Sequence, residues 1–263
     1  MKRALITRAD DLASSHAANL AISEAAEIGI VRNVSVMACG PFLEEAAEML
    51  AGNQKITFGM HGVVNAEWDK VVWGPVAPAH MVPSLIDSRG VFYQHVPEMA
   101  ASKPVVEEII TEYKYQLEKL RSVGFPIAYV DSHMMPEALI DGLPEAFDRW
   151  LEEEGLLNHR YFNKMLKNCG QMSHDRALFE KTIRELEPGQ YKMVLHPARA
   201  CEELRMTGNK NYSGDFICWE REDDYQFYND PSVLQFLKEQ DIELLSYKDA
   251  IPEPSPYSFN LWE

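Results

Sequence analysis

The chain has 263 residues and a mass of 30.0 kDa, with 46% hydrophobic and 25% charged residues, an ordinary globular composition. Forty-one Asp and Glu against 25 Lys and Arg leave a net charge of −16 and a pI near 4.9. Such a surface repels a phosphate backbone or an anionic membrane, which argues against nucleic-acid and membrane partners.

Four scattered cysteines, Cys39, Cys169, Cys201 and Cys218, form no C-x-x-C pair and read as reduced thiols. The opening MKRALITRADD carries no signal-peptide core. No apolar run approaches the roughly 20 residues of a membrane helix. A soluble, cytoplasmic protein is expected.

The chain alternates short apolar runs with amphipathic stretches. A strand is expected over 4–7, then a helix capped by Ser14 or Ser15, reaching about Glu27 and closed by Gly29. Strand character returns over 31–38, Pro41 opens a helix through Leu50, and 56–60 is a third strand. A long helix over about 105–123 leads into a strand over 126–130. Helices over 145–154 and 176–186 bracket a less regular section. A strand over 191–195, a helix over 231–240 and a last strand over 242–246 complete the series. This order predicts a mainly parallel α/β sheet with right-handed crossovers. Six or seven units suit a single-domain (β/α) barrel, distorted or seven-stranded. The first strand lacks the G-x-G-x-x-G turn of a dinucleotide fold.

One domain over 1–263 is expected, with loop insertions at 65–103 and 198–228. The first holds Trp68, Trp73, Phe92 and Tyr93, the second Tyr212, Phe216, Trp219 and Tyr225. Long loops in compact domains are usually functional. Aromatic rings offer flat faces to sugar rings, although satellite cores under the loops would explain them equally well.

The residues just past the strands carry the chemistry. Asp10 and Asp11 follow the first strand, His61 the third, Asp131 and His133 the 126–130 strand, and His196 the 191–195 strand. In α/β barrels the carboxyl ends of the strands converge on one mouth, where catalytic residues collect. Each residue alone has a plain structural explanation, a helix cap or a loop histidine; their coincidence at matching strand ends does not. The remaining histidines, His16, His80, His95, His159 and His174, lack this placement. Two imidazoles and a carboxylate form a site for a divalent metal such as Zn²⁺, whose bound water ionises near pH 7. One of the adjacent aspartates would bind metal while the other accepts a proton, and His196 would donate one to a leaving group. Asp131 would orient a neighbouring imidazole.

The stretch TRADDLASSHAANLAI resembles the N-A-D-D-F-G opening of the YdjC-like carbohydrate deacetylases, the chito-oligosaccharide deacetylase family. The resemblance continues through GMH at 59–61, VDSH at 130–133, LHP at 195–197 and the closing REDDYQFYNDPSVLQFLKEQDIELLSYKD. It implies a deacetylase-type barrel that removes N-acetyl groups from small sugars with a divalent metal, Mg²⁺ or Zn²⁺. By the same resemblance, Asp11, His61 and His133 are the metal ligands, Asp10 is the general base, and His196 is the general acid.

Several positions depart from the family pattern: Arg8 replaces Asn, Leu12-Ala13 replaces Phe-Gly, Tyr129 and Met135 replace flanking histidines, and Ala198 replaces Gly. Arg8 and Tyr129 join Asp131 as supporting or substrate-binding residues. Arg8 could pair with Asp10, clamp an anionic substrate or sit solvated at the rim, and the acidity of the chain favours the clamp. Rival readings are a non-haem Fe(II) oxygenase using the same triad, or a non-catalytic sugar-binding protein. The oligomeric state stays open, a homodimer included.

Overall fold

The computed structural model describes residues 2–162 and 164–256. The described elements are β1 (Arg3–Leu12), α1 (His16–Ile28), β2 (Asn33–Val36), α2 (Leu43–Leu50), β3 (Thr57–Gly62), α3 (Val96–Ala101), α4 (Val106–Ser122) and β4 (Ile127–Ser132). They continue with α5 (Leu143–Glu154), β5 (Leu157–Asn158), α6 (Arg176–Arg184), β6 (Gly189–Leu195), α7 (Gly214–Asn229), α8 (Pro231–Glu239) and β7 (Glu243–Leu245). All strand pairings among these are parallel, in the order β5-β4-β3-β2-β1-β6. β7 pairs Ala4–Ile6 of β1, whose opposite flank is held by β6 from Arg3 to Ala9. Above β7, β2 takes over the same flank at Arg8. The sheet curls into a distorted barrel, as the alternation predicts. Between β5 and β6 the segment around Met165 bridges to Lys192, with Leu166 N–H donating to the Lys192 carbonyl at 2.9 Å.

Helices form where the sequence supplies caps and a buried stripe. Ser15 caps α1 by accepting from Ala18 N–H at 3.0 Å, and Gly29, at φ 89°, closes it. The buried residues of α1 are Ala17, Ala18, Asn19, Ala21, Ile22, Ala25 and Ala26, mostly small side chains that let the helix lie close to the sheet. Tyr113 of α4 packs on Phe147 and Trp150 of α5 on the outside of the barrel. On the concave side Ile6, Tyr129, Phe162 and Tyr247 form a separate small apolar plug.

Three sequence expectations are corrected. β1 runs on through Leu12 rather than ending at 7, because its polar residues find buried partners in the barrel. The 198–228 stretch contains α7, hidden in the sequence because buried Asp224 shares the inner face with Ile217, Cys218, Phe227 and Tyr228. The 65–103 stretch contains α3, and β5 is a strand too short to read from pattern. Buried Glu112 ties that loop to α4, accepting from Val76 and Ala77 N–H at 2.9 Å each. No described helix is long and apolar enough to cross a membrane.

Candidate active site

Adjacent residues on a regular strand face opposite ways, so Asp10 and Asp11 need a break in the strand to share one site. The β1–β2 register shifts between Ala9 and Leu12, and Asp11 takes φ 66°, a left-handed conformation that Asp tolerates better than most residues. The resulting bulge re-aims the chain. Both carboxylates then line one cavity of about 620 Å³, with His61 from β3, His133 just after β4, His196 just after β6, and Arg221 from α7.

Asp11 Oδ1, His61 Nε2 and His133 Nδ1 converge. Oδ1 lies 3.4 Å from His61 Nε2 and 3.9 Å from His133 Nδ1, and the two ring nitrogens are 3.1 Å apart. Asp11 Oδ1 is buried without a hydrogen-bond partner. An orphaned carboxylate oxygen facing two imidazole nitrogens is the donor set of a divalent cation, and these residues fit one. Each imidazole is backed by a carboxylate on its far side. Asp131 hydrogen-bonds His61 Nδ1, and Glu67 Oε2 lies 3.1 Å from His133 Nε2. Such partners fix the orientation of metal-binding histidines.

Electrostatics sort the carboxylates. Burial opposes ionisation of Asp11, yet the Arg221 guanidinium, 3.2 Å from Oδ2, and the two imidazoles hold it well below the usual carboxylate range. Asp131 is likewise held low against burial, by Arg8 and His61. Burial also disfavours a charged His61, but Asp131 and Asp10 raise it to about 10. A cation bound at His61 would compete with its protonation. Asp10 moves the other way: burial pushes it up, outweighing Arg8.

Arg8 is buried. Its Nε and Nη2 donate to Asp10 at 2.6 and 2.7 Å, and Nη1 lies 3.1 Å from both Asp131 Oδ2 and the Tyr247 hydroxyl. The fork therefore engages Asp10, and the guanidinium is not solvated at the rim. Tyr129 lies in the plug below, its hydroxyl bonded to Ser35 Oγ at 2.8 Å, while Ser35 donates to Asp131. Met135 lines the cavity. His196 is the accessible member, its side chain 40% exposed with Nε2 4.0 Å from Asp10 Oδ2. Asp224 accepts its backbone N–H at 2.8 Å. Burial raises that carboxyl to about 6.

No motif in the sequence marks Glu67, Arg221, Asp224 or Ser35. Glu67 and the α7 pair sit in stretches read as loops, where spacing gives no facing direction. His159 and His174 also line the cavity despite lacking a strand-end position.

Fold and cluster together define an α/β partial barrel with its polar site at the carboxyl ends of the strands, where such folds place their chemistry. The chain belongs to the YdjC-like protein family, whose model matches residues 4–239. A carbohydrate deacetylase of Thermoanaerobacter pseudethanolicus is 25% identical over 258 residues, 92% of this chain and 97% of that protein. A chitooligosaccharide deacetylase of Yersinia pestis is 29% identical over 143 residues, 52% of this chain and 53% of that one. The fold matches a crystal structure from Enterococcus faecalis V583, a candidate cellobiose-phosphate cleavage protein, with a TM-score of 0.72 and 23% identity. That match covers 94% of this chain and 98% of the other.

Proposed function

We propose that the protein is a divalent-metal-dependent hydrolase that removes the acetyl group from a small N-acetylated sugar. The observation that carries the reading is the orphaned Asp11 Oδ1 facing His61 Nε2 and His133 Nδ1, with Asp10 and His196 beside it in one cavity. The deacetylase relatives supply the substrate class.

Asp11, His61 and His133 would hold Mg²⁺ or Zn²⁺, which when bound supplies Lewis acidity to an amide carbonyl and acidifies water. Arg221 engages Asp11 Oδ2 and leaves Oδ1 to face the imidazoles. Asp131 and Glu67 keep the two rings turned inward. Asp10 takes the proton from the attacking water. Arg8 fixes its carboxylate plane, and burial makes it a stronger base than an exposed aspartate. His196 donates a proton to the departing amine nitrogen as the amide C–N bond breaks, leaving acetate and the free amino sugar. Its exposed side chain lets it exchange protons with solvent between turnovers.

The test combines calorimetric titration of metal-free protein with Zn²⁺ or Mg²⁺ and an acetate-release assay on N-acetylglucosamine and its short oligomers. Asp11→Ala, His61→Ala and His133→Ala should each lose stoichiometric binding and acetate release while keeping native circular dichroism. Unchanged metal content in all three would refute the reading.

A further inference from the structure

Outside the cavity, the most conspicuous feature of the described surface is a row of aromatic rings on α7 and the turn before it. Tyr212, Phe216 and Trp219 are 51%, 39% and 50% exposed, unusual for three neighbouring large rings on one surface. Tyr212 stacks on Phe216 with ring centroids 5.5 Å apart and planes at 21°. Phe216 meets Trp219 at 5.6 Å. Trp219 then stacks on the His174 imidazole at 4.5 Å and 22°, and His174 itself lines the cavity. The row therefore starts at the cavity wall and leads outward along the helix.

The position of this row relative to the site is fixed. The same helix places Arg221 on Asp11 and Asp224 on the His196 backbone N–H, and the Arg221 carbonyl accepts from Ala198 N–H at 3.1 Å. His174 is pinned in turn by Asp223, 2.7 Å from Nδ1. A rigid helix thus carries site contacts on one face and a ladder of flat apolar rings beside them. Lys210 and Asn211 precede Tyr212 in the chain, and Glu220, next after Trp219, lines the cavity. Flat rings leading away from a polar cavity suit a ligand whose units have apolar faces and hydroxyl rims. A carbohydrate chain has that chemistry. Aromatic rows also occur in protein–protein contacts; what favours a sugar chain here is that the row begins at the polar cavity wall, where His174 stacks on Trp219.

We propose that Trp219, Phe216 and Tyr212 form successive sugar-binding subsites, so that the preferred substrate is an oligosaccharide whose acetylated unit enters the cavity while its further units lie over the ring row. The proposal rests on the deacetylase reading for which unit is processed. Binding of the chain is measured separately from its hydrolysis.

The experiment titrates chito-oligosaccharides of one to four units into protein kept in EDTA, so that no turnover intervenes, with isothermal calorimetry as the readout. Wild-type affinity should rise with each added unit. In Trp219→Ala and Phe216→Ala that gain should shrink by about two- to tenfold per ring removed, the worth of one aromatic contact. Trp219→Tyr, which keeps a flat ring, should recover most of it. Circular dichroism checks that the variants fold, and sedimentation velocity follows their assembly. Equal affinity for one and four units, or Ala variants with an undiminished gain, would overturn the subsites. So would variants that only convert a dimer to a monomer, because the rings would then be a contact between copies of this chain. Acetate release, assayed separately with metal, decides the deacetylase reading; its absence alongside length-dependent binding would refute the reaction and leave the subsites standing.

Discussion

Replacing Arg8 with Met tests the charge arrangement at its most constrained point. The Arg8 side chain is 7% exposed, and the carboxylates it joins, Asp10 and Asp131, are 3% and 0% exposed. Met matches the length of the stem and removes the cation, leaving two buried carboxylates without it. Removing one partner from a buried ion pair costs about 3–5 kcal/mol, a large fraction of the roughly 5–15 kcal/mol that stabilises a typical domain. At about 2–4 °C per kcal/mol for chains near this size, the midpoint should fall by roughly 6–20 °C. Asp131 is held low in the folded protein, partly by Arg8, so the stability this contributes is present above the unfolded value near 3.9 and lost as pH falls. Asp10 is already raised by burial and would rise further without its cation, so the variant would lose stability as pH increases. Both effects have the same sign, and the gap between wild type and Arg8→Met should widen from pH 4 to pH 8. Thermal unfolding of metal-free protein in EDTA, followed by circular dichroism across that range, measures it. A loss below about 1 kcal/mol, the scale of exposed pairs, or a gap that does not change with pH, would refute the counter-ion role.

Asp10→Asn should bind metal as the wild type does yet lose about 10²–10⁴-fold in kcat for acetate release; near-normal turnover would place the base elsewhere. Glu67→Gln should weaken metal affinity by about 10–100-fold in calorimetry, as loss of a carboxylate behind a ligating histidine typically does; unchanged affinity would leave Glu67 a loop residue. Gly59→Ala should destabilise the fold by about 1–3 kcal/mol through overpacking, because its new Cβ would sit 2.2 Å from the Tyr129 ring. A denaturant midpoint matching the wild type would show that the plug can shift to accept it.

The parallel sheet was legible because apolar runs and amphipathic stretches alternate on the scale of strands and helices. Asp10, Asp11, His61, Asp131, His133 and His196 can be grouped because each lies at or just past the carboxyl end of a strand, and those ends share one mouth. What pattern could not convey was direction. Spacing allowed Arg8 to face substrate, solvent or Asp10, and only the curvature bringing Asp131 within 3.1 Å shows how buried charges claim it. α7 has the pattern of a loop in the sequence because its inner face mixes Asp224 with apolar residues, which blurs helical periodicity. Glu67 lacked any periodic signal, since its place beside His133 depends on a loop turn at φ 57°.

That turn is held from both sides. Glu67 N–H donates to the Gln94 carbonyl at 2.8 Å, and the Glu67 carbonyl accepts from Asn209 Nδ2 at 3.3 Å. Asp69 N–H adds a bond to the Gly208 carbonyl at 2.8 Å. The 65–103 and 198–228 stretches are therefore clasped, and Asn209 helps set where a carboxylate stands behind a proposed metal ligand 76 positions earlier. Loop grafting meets this coupling directly. A 65–103 stretch taken from a relative and installed without its own 198–228 counterpart would meet a foreign clasp, so grafting between relatives calls for exchanging the two stretches as one unit.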